Sequence, residues 1–222
     1  MCIESNVEDV NRRIAQACER AGRSVAEVIL VAATKTVPFQ LVERAYGAGI
    51  RHFGENRVQE GKWKIEAIDI TVRSNSTWHM LGHVQTNKVS NTLRLFDVVQ
   101  SVDSVRLAKA LDEHLDCDFP IFLEVNIAAE LGKTGLFATQ LPTVLDQMAT
   151  FSHLQVQGLM TMGPVVGDPE EVRPFFRQAR LLRDSLGLKQ LSMGMTNDFE
   201  VAIEEGSTMV RIGRAIFGKR SY

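Results

Sequence analysis

Features that would assign this chain to the simplest functional classes are missing from its sequence. The three cysteines, Cys2, Cys18 and Cys117, are scattered and match neither a disulfide framework nor the spacing of metal ligands. The net charge of −2 gives no basic footprint for nucleic acid. No apolar run is long enough to cross a bilayer, and the polar start MCIESNVEDVNRR does not resemble a signal peptide. The sequence therefore predicts a reduced, cytoplasmic protein without nucleic-acid or membrane partners.

Several catalytic and ligand-binding motifs are missing as well. The first predicted strand is not followed by the glycine-rich turn GxGxxG of dinucleotide-binding proteins. Ser192, in SMGMTND, is not flanked as in the nucleophile elbow GxSxG. His79 and His83 are four residues apart, but TWHMLGH is typical of a strand that leaves into a loop, which lacks the helical geometry of a zinc site. We therefore expect packing and loop roles for these two histidines and no bound metal.

What the sequence does contain is a regular alternation of strand and helix patterns. The segment EVILVAAT is rich in β-branched residues without polar alternation, which is typical of a parallel strand covered on both faces. Further strands are predicted at 51–53, 77–81, 96–100, 120–126, 155–160, 189–193 and 208–212. Helices are predicted at 7–21, 38–47, 56–67, 86–93, 103–115, 137–149, 169–185 and 198–205. In the first of these helices, Cys18 lies on the apolar face and is expected to be buried.

This alternation predicts βαβ units and hence a parallel sheet. Eight strands in one run, without a linker or a break in composition, favour an α/β fold that consists of a single (β/α)8 TIM barrel with an extra N-terminal helix. The barrel would be one domain that spans residues 1–222. An open, doubly wound sheet is the rival architecture.

One lysine stands at an unusual place in this pattern. The apolar strand ILVAA runs directly into Thr34, Lys35 and Thr36 before Pro38. In a barrel, chemistry is carried by the loops that follow the carboxyl ends of the strands. An ammonium at the mouth of an apolar strand is poorly solvated, so its pKa is expected to fall, and a neutral lysine amine forms Schiff bases. A structural ion pair with Glu55 is the alternative role for Lys35.

The loops after the last two strands are rich in glycine and hydroxyl residues. They contain Ser192, Gly194, Thr196 and Gly213. Barrels often bind phosphate at this pair of loops, where glycine allows close backbone approach and a hydroxyl donates to phosphate oxygen. A reactive lysine opposite a phosphate pocket suggests pyridoxal phosphate as the cofactor. Arg211 is ambiguous at this stage, because a buried arginine is often part of a structural ion pair.

Seven motifs that occur in order along the chain make the prediction more specific. They are VAATKT, HFGENRVQE, WHMLGHVQTNK, KTGL, GLMTMG, LSMGMTNDFEVAI and GSTMVRIGRAIFG. Together they resemble the pyridoxal phosphate homeostasis protein family, also called the proline synthase co-transcribed homologue family. The resemblance covers nearly the whole chain, and it implies a (β/α)8 barrel related to the N-terminal domain of alanine racemase.

The resemblance also implies a role for particular residues. Lys35 would carry pyridoxal 5′-phosphate covalently, as an internal aldimine, and Asn56 would lie near the phenolic oxygen of the cofactor. Arg211 would face the pyridine nitrogen. The residues expected to enclose the phosphate are Ser192, Gly194, Met195, Thr196 and Gly213. Thr196 stands where the family usually has serine, and it keeps the hydroxyl group.

The function expected from this resemblance is that of a non-catalytic carrier in vitamin B6 homeostasis. A guanidinium can only donate hydrogen bonds, so it would keep the pyridine nitrogen unprotonated and weaken the ring as an electron sink. A racemase also needs a second base, supplied by a tyrosine from a separate domain, and neither Tyr46 nor Tyr222 is expected at a strand end. We expect a monomer, with recipient apo-enzymes as candidate partners. The alternatives are a Schiff-base enzyme (a weak racemase or a class I aldolase-like lyase) and an interaction protein that needs no ligand.

Overall fold

The computed structural model describes residues 2–218, in which eight parallel strands close into a barrel. The strands are β1 (Ile29–Ala33), β2 (His52–Glu55), β3 (Thr77–Met80), β4 (Val98–Val102), β5 (Phe119–Val125), β6 (Leu154–Thr161), β7 (Gln190–Ser192) and β8 (Met209–Ile212). Each strand pairs in parallel with its successor along the chain, and β8 pairs with β1. The predicted (β/α)8 TIM barrel is confirmed, and the open sheet is excluded.

Helices occupy the connections between the strands, and one helix precedes β1 and another follows β8. They are α1 (Ile3–Arg20), α2 (Phe39–Gly47), α3 (Val58–Ala67), α4 (Ile70–Ser74), α5 (Val89–Leu95), α6 (Val105–Asp112), α7 (Leu141–Met148), α8 (Arg173–Ser185), α9 (Phe199–Glu204) and α10 (Arg214–Phe217). The sequence pattern did not predict α4 and α10, because helices of five and four residues are too short to show an apolar period. The predicted helix at 86–93 is a 3₁₀ turn (Thr86–Lys88) followed by α5.

The fourth strand begins two residues later than predicted. The pattern FDVVQ places it at 96–100, whereas β4 spans Val98–Val102. Phe96 caps the end of α5, and the carboxylate of Asp97 accepts a hydrogen bond of 2.7 Å from the backbone N–H of Trp78. Phe96 and Asp97 therefore make these other contacts before the strand starts. Gln100 lies in the middle of β4 rather than at its end.

The extra helix α1 covers the outer face of the barrel next to α9 and α10. Its buried stripe begins at Ile3, which explains why the helix starts earlier than predicted, and it ends at Cys18, which is buried as expected. Arg13 donates to both carboxylate oxygens of Glu200 in α9, at 3.1 and 2.8 Å. The bidentate pair and the apolar stripe fix α1 against the barrel.

Apolar residues form two separate layers. The larger one lies between the strands and the surrounding helices. The smaller one comprises Val31, Val98, Phe122, Met160 and Met209, which lie on five different strands. The strand register places members of this cluster beside buried polar residues, since Val31 pairs with Arg211 and Met160 pairs with Ser192. No helix within residues 2–218 is long and apolar enough to cross a bilayer.

Candidate functional site

Strands β7, β8, β1 and β2 are consecutive neighbours around the closed barrel. The register pairs Ala32 with Ile212 on one side of β1 and Ala33 with Gly54 on the other. The carboxyl ends of these four strands therefore meet at one sector of the barrel mouth. This sector carries every residue predicted for the site: Lys35, Asn56, Ser192, Gly194, Met195, Thr196, Arg211 and Gly213.

The turn that carries Lys35 is fixed by side chains on the outer side of the barrel. Lys64 of α3 donates to the backbone carbonyl of Thr34 at 2.5 Å and to Oε1 of Glu55 at 2.5 Å. The hydroxyl of Thr34 donates to the same carboxylate oxygen at 2.5 Å. On the other side of Lys35, the backbone N–H of Thr36 donates to Glu60. These bonds constrain both neighbours of the half-buried Lys35 and hence its position.

The contacts of Lys64 with Glu55 and Thr34, which we call the outer clamp, hold two charged groups in a buried environment. Glu55 is 0% and Lys64 5% exposed, so both charged groups are removed from water. Burial raises the pKa of Glu55, and the ammonium of Lys64 opposes this rise. The second carboxylate oxygen, Oε2, has no hydrogen-bond partner among the described residues. Glu55 thus forms its ion pair with Lys64, a residue to which the sequence pattern assigned no role.

The backbone of the turn is also conformationally demanding. Thr36 adopts a positive φ of 64°, which non-glycine residues rarely occupy. Such a conformation persists only when surrounding contacts enforce it. The bond to Glu60 supplies such a contact.

Asn56 follows β2 and is half buried at the same sector. The loop after β3 packs directly against it. A Cβ atom at Gly82 would overlap the backbone carbonyl of Asn56, so the close approach of the two chains requires glycine at this position. The glycine of the GHVQTNK motif therefore supports the wall of the site next to Asn56.

The loop after β7 is a compact turn. Gly194 has a φ of 92°, and a Cβ atom there would lie 2.5 Å from the Cβ of Ala202, so no larger residue fits. Its carbonyl accepts a hydrogen bond of 2.9 Å from the backbone N–H of Arg211. Met195 donates its backbone N–H to the carboxylate of Asp198 at 2.6 Å, while Met195 itself is 39% exposed. These contacts place Thr196, which is half buried, at the mouth of the barrel.

The loop after β8 lies beside the lysine turn. A Cβ atom at Gly213 would lie 3.1 Å from the carbonyl oxygen of Ala33, so this glycine allows a close approach between the two strand ends. Gly213 also caps α10, whose first N–H groups have no partner within the helix. The side chain of Arg214 donates to Asn197 at 3.2 Å and links this loop to the one after β7. Backbone N–H groups and a hydroxyl at adjacent loops form a donor set that suits an anion such as phosphate.

Arg211 is the buried cation of the site. It is 6% exposed, and its guanidinium donates to the hydroxyl of Ser192 at 2.7 Å and to the backbone carbonyl of Thr161 at 2.8 Å. Burial lowers its pKa to about 10, against the opposing effect of Asp198 and Glu124, so the group stays charged at neutral pH. These bonds go to a hydroxyl and a carbonyl rather than to a carboxylate, unlike the structural ion pair considered from the sequence.

Ser192 lies deeper than expected for a phosphate ligand. Its side chain is fully buried, and its hydroxyl donates to Oε1 of Gln100 at 2.6 Å while it accepts from Arg211. A hydroxyl has one proton, so in this arrangement it cannot also donate to a phosphate oxygen. The side chain of Ser192 therefore supports Arg211.

The two histidines singled out in the sequence have different surroundings. His79 is 1% exposed and forms hydrogen bonds with His52 at 3.0 Å and with Gln100 at 2.9 Å, so it is more than a packing residue. Burial, with a smaller effect of His52, lowers the pKa of His79 to about 3. His83 is an exposed loop residue that pairs with Asp103 at 2.9 Å. Residues 2–218 contain no cluster of histidine, cysteine and acidic residues that could hold a metal ion.

Comparison with known proteins identifies the family. The model of the alanine racemase N-terminal domain matches residues 5–221. The pyridoxal phosphate homeostasis protein of Aquifex aeolicus is 41% identical over 225 residues, which cover 96% of this chain and 96% of that protein. The chain belongs to the pyridoxal phosphate homeostasis protein family.

Two solved structures are similar over nearly their whole length. PipY of Synechococcus elongatus, solved with PLP bound, is 35% identical with a TM-score of 0.81, and the match covers 92% of this chain and 100% of that chain. An unknown protein from Bifidobacterium adolescentis is 36% identical with a TM-score of 0.90, and the match covers 97% and 94% of the two chains. Family membership agrees with the barrel and with the motifs from which it was predicted.

The outer clamp predicts a large effect of one substitution. Lys64→Met removes the cation beside a buried carboxylate, so we expect the free energy of unfolding to fall by about 3 kcal/mol or more in chemical denaturation. The double variant Glu55→Gln with Lys64→Met should recover much of that loss. Lys62→Met, at an exposed position of the same helix, is the control. Equal losses for the Lys62 and Lys64 variants would contradict the clamp.

The lowered pKa of buried His79 predicts that acid reduces the stability of the fold. Its folded pKa of about 3 lies below the ordinary value of 6.5, so in acid the unfolded chain binds a proton that the folded chain does not. The free energy of unfolding should therefore fall with falling pH below about 6.5, by up to about 1.4 kcal/mol per pH unit. His79→Gln should flatten this dependence between pH 6 and 4, measured by denaturation. His114 is exposed, so His114→Gln should keep the wild-type pH dependence of the free energy of unfolding. An unchanged pH dependence in His79→Gln would refute the role of His79 in acid sensitivity.

Proposed function

We propose that this protein binds pyridoxal 5′-phosphate covalently through Lys35 and acts as a non-catalytic carrier in vitamin B6 homeostasis. The observation that carries the proposal is the convergence of three groups at adjacent strand ends. These groups are the fixed lysine turn after β1, the donor-rich loops after β7 and β8, and the buried guanidinium of Arg211. Relatives named pyridoxal phosphate homeostasis protein and the PipY structure with PLP bound support it.

The residues at the site fit the chemical groups of this cofactor. Lys35 supplies an amine for the aldehyde, and Thr196 and Gly213 lie in the loops suited to the phosphate. Asn56 supplies an amide for the phenolic oxygen. Arg211 supplies a hydrogen-bond donor for the pyridine nitrogen. The side chain of Ser192 contributes through Arg211, whereas Gly194 and Met195 shape the loop after β7.

Arg211 also argues against efficient catalysis. When bound, pyridoxal phosphate supplies an aldehyde that condenses with amines and a pyridine ring that withdraws electrons. A guanidinium remains protonated at neutral pH and only donates hydrogen bonds, so it leaves no proton on the ring nitrogen. An unprotonated pyridine is the weaker electron sink. The same residue would therefore anchor the ring and limit proton abstraction from amino acids.

The position of tyrosine supports the same conclusion. Tyr46 is the one tyrosine among the described residues, and it stacks with Arg51, whose guanidinium carbon lies 4.0 Å from the ring centroid. It occupies the C-terminal end of α2. Since this helix runs antiparallel to β1, Tyr46 lies at the end of the barrel opposite the mouth. It cannot act as a second base across from Lys35. Tyr222 lies outside the described residues.

A carrier role also implies a cellular compartment, recipient enzymes and an oligomeric state. The free thiols Cys2, Cys18 and Cys117 suit the reducing cytoplasm. The mouth of the barrel would pass the cofactor to recipient apo-enzymes. We propose that the chain acts as a monomer, which sedimentation would test.

The covalent attachment is tested by absorbance and mass spectrometry. The purified protein with pyridoxal phosphate should be yellow, and borohydride should fix a mass adduct on the peptide that contains Lys35. Lys35→Ala should lose both signals, while Lys88→Ala, a lysine in the connection after β3, should keep them. A colourless wild-type protein that stays unmodified would refute the proposal and favour an aldolase-like enzyme.

The carrier role is tested by proton exchange. In D2O, the loaded protein should exchange the Cα proton of alanine no faster than free pyridoxal phosphate does, measured by proton NMR. Arg211 and the position of Tyr46 are the reasons for this expectation. Rapid exchange or turnover of an amino acid that disappears in Lys35→Ala would instead establish a Schiff-base enzyme.

A further inference from the structure

A chain of hydrogen bonds crosses the barrel interior from Arg211 to His52. Arg211 of β8 bonds to Ser192 of β7 at 2.7 Å, and Ser192 bonds to Gln100 of β4 at 2.6 Å. Gln100 bonds to His79 of β3 at 2.9 Å, and His79 bonds to His52 of β2 at 3.0 Å. The chain thus connects five strands across the barrel interior. Its three middle members, Ser192, Gln100 and His79, are each at most 1% exposed.

A sulfur atom fixes the orientation of the amide in this chain. The Nε2 atom of Gln100 lies 2.9 Å from Sδ of Met209. A thioether sulfur can only accept, so the amide nitrogen and not the amide oxygen must face it. The same nitrogen therefore donates to Nδ1 of His79, and the amide oxygen accepts the proton of Ser192.

The orientation of the amide determines the tautomer of His79. Because Nδ1 accepts from Gln100, the proton of the neutral ring lies on Nε2 and is donated to Nδ1 of His52. Arg211, at the other end, has no acceptor atom, so it too can only donate. Every bond in the chain consequently runs in the same direction, from Arg211 to His52.

Aligned bonds in a buried chain strengthen one another, and an interrupted chain leaves buried polar atoms without partners. The position of the guanidinium is therefore coupled to residues that lie well below the mouth. Gln100 is the central member, since it is fully buried and reaches Arg211 only through Ser192. It carries no charge and has no place in the predicted ligand contacts.

We infer that Gln100, together with Ser192 and His79, is a positioning residue that orients the guanidinium of Arg211 towards the barrel mouth. The direction of the hydrogen bonds is a property of the protein alone. What the oriented guanidinium faces rests on the proposed function, namely the ring nitrogen of bound pyridoxal phosphate.

The first test uses the protein without cofactor. Long-range proton–nitrogen NMR spectra of the histidine rings should show His79 as a neutral ring protonated at Nε2. Nitrogen spectra of the arginine side chains should show slow rotation of the Arg211 guanidinium in the wild type and faster rotation in Gln100→Met. A proton on Nδ1 of His79, or equal rotation rates in the two proteins, would overturn the inference.

A matched control separates positioning from general destabilisation. Thr92 of α5 is also fully buried, and its hydroxyl donates to the carbonyl of Lys88 at 2.9 Å. Thr92→Val removes a buried hydrogen bond outside the barrel interior, whereas Gln100→Met removes the bonds of Gln100 inside it. Only the Gln100 variant should alter the rotation of Arg211. If both variants alter it to the same extent, the effect is structural and the inference fails.

The second test uses pyridoxal phosphate as the ligand. In Gln100→Met, the affinity should fall about tenfold, as expected when the hydrogen bond from Arg211 to the ring nitrogen is lost, and the visible absorbance maximum of the bound cofactor should shift. Thr92→Val should keep the wild-type affinity and spectrum. Wild-type affinity in Gln100→Met would overturn the inference. A wild-type protein that binds no pyridoxal phosphate would refute the proposed function alone, because the NMR test would still judge the positioning role.

Discussion

A charged guanidinium buried in the barrel interior constrains much of the surrounding structure. Removing a cation from water costs several kcal/mol unless hydrogen bonds replace its hydration, and this requirement determines the nearby side chains. Arg211 is supported by a hydroxyl from β7 and a carbonyl from β6. The hydroxyl in turn needs an acceptor, which Gln100 supplies from β4. Polar residues on strands far apart in the sequence thus depend on one buried charge.

The lysine turn depends on a second buried polar group, which lies on the outer side of the same strands. Lys64 and Glu55 fix the backbone before Lys35, while Glu60 fixes the backbone after it. The barrel wall therefore separates two networks. The inner network orients the cation, and the outer one positions the amine. Each group is thereby held by its own set of hydrogen bonds.

The sequence predicted the residues at the strand ends better than the residues that support them. Lys35 and Gly213 could be found because a polar or glycine residue directly after an apolar strand indicates the mouth of a barrel. Gln100 could not be found, because nothing in the sequence shows that its amide meets Ser192 and His79, which lie on other strands. Lys64 was also missed, since a lysine in an amphipathic helix is normally solvated, and only the packing of α3 against β2 brings it to Glu55.

The most direct test of the account is a crystal structure of this protein with pyridoxal phosphate. The account predicts electron density continuous with Nζ of Lys35, with the phosphate against Thr196 and Gly213. It also predicts a guanidinium nitrogen of Arg211 within hydrogen-bond distance of the ring nitrogen, with the bond from Arg211 to Ser192 intact. Cofactor bound at another place, or an Arg211 side chain turned away from the ring, would contradict it.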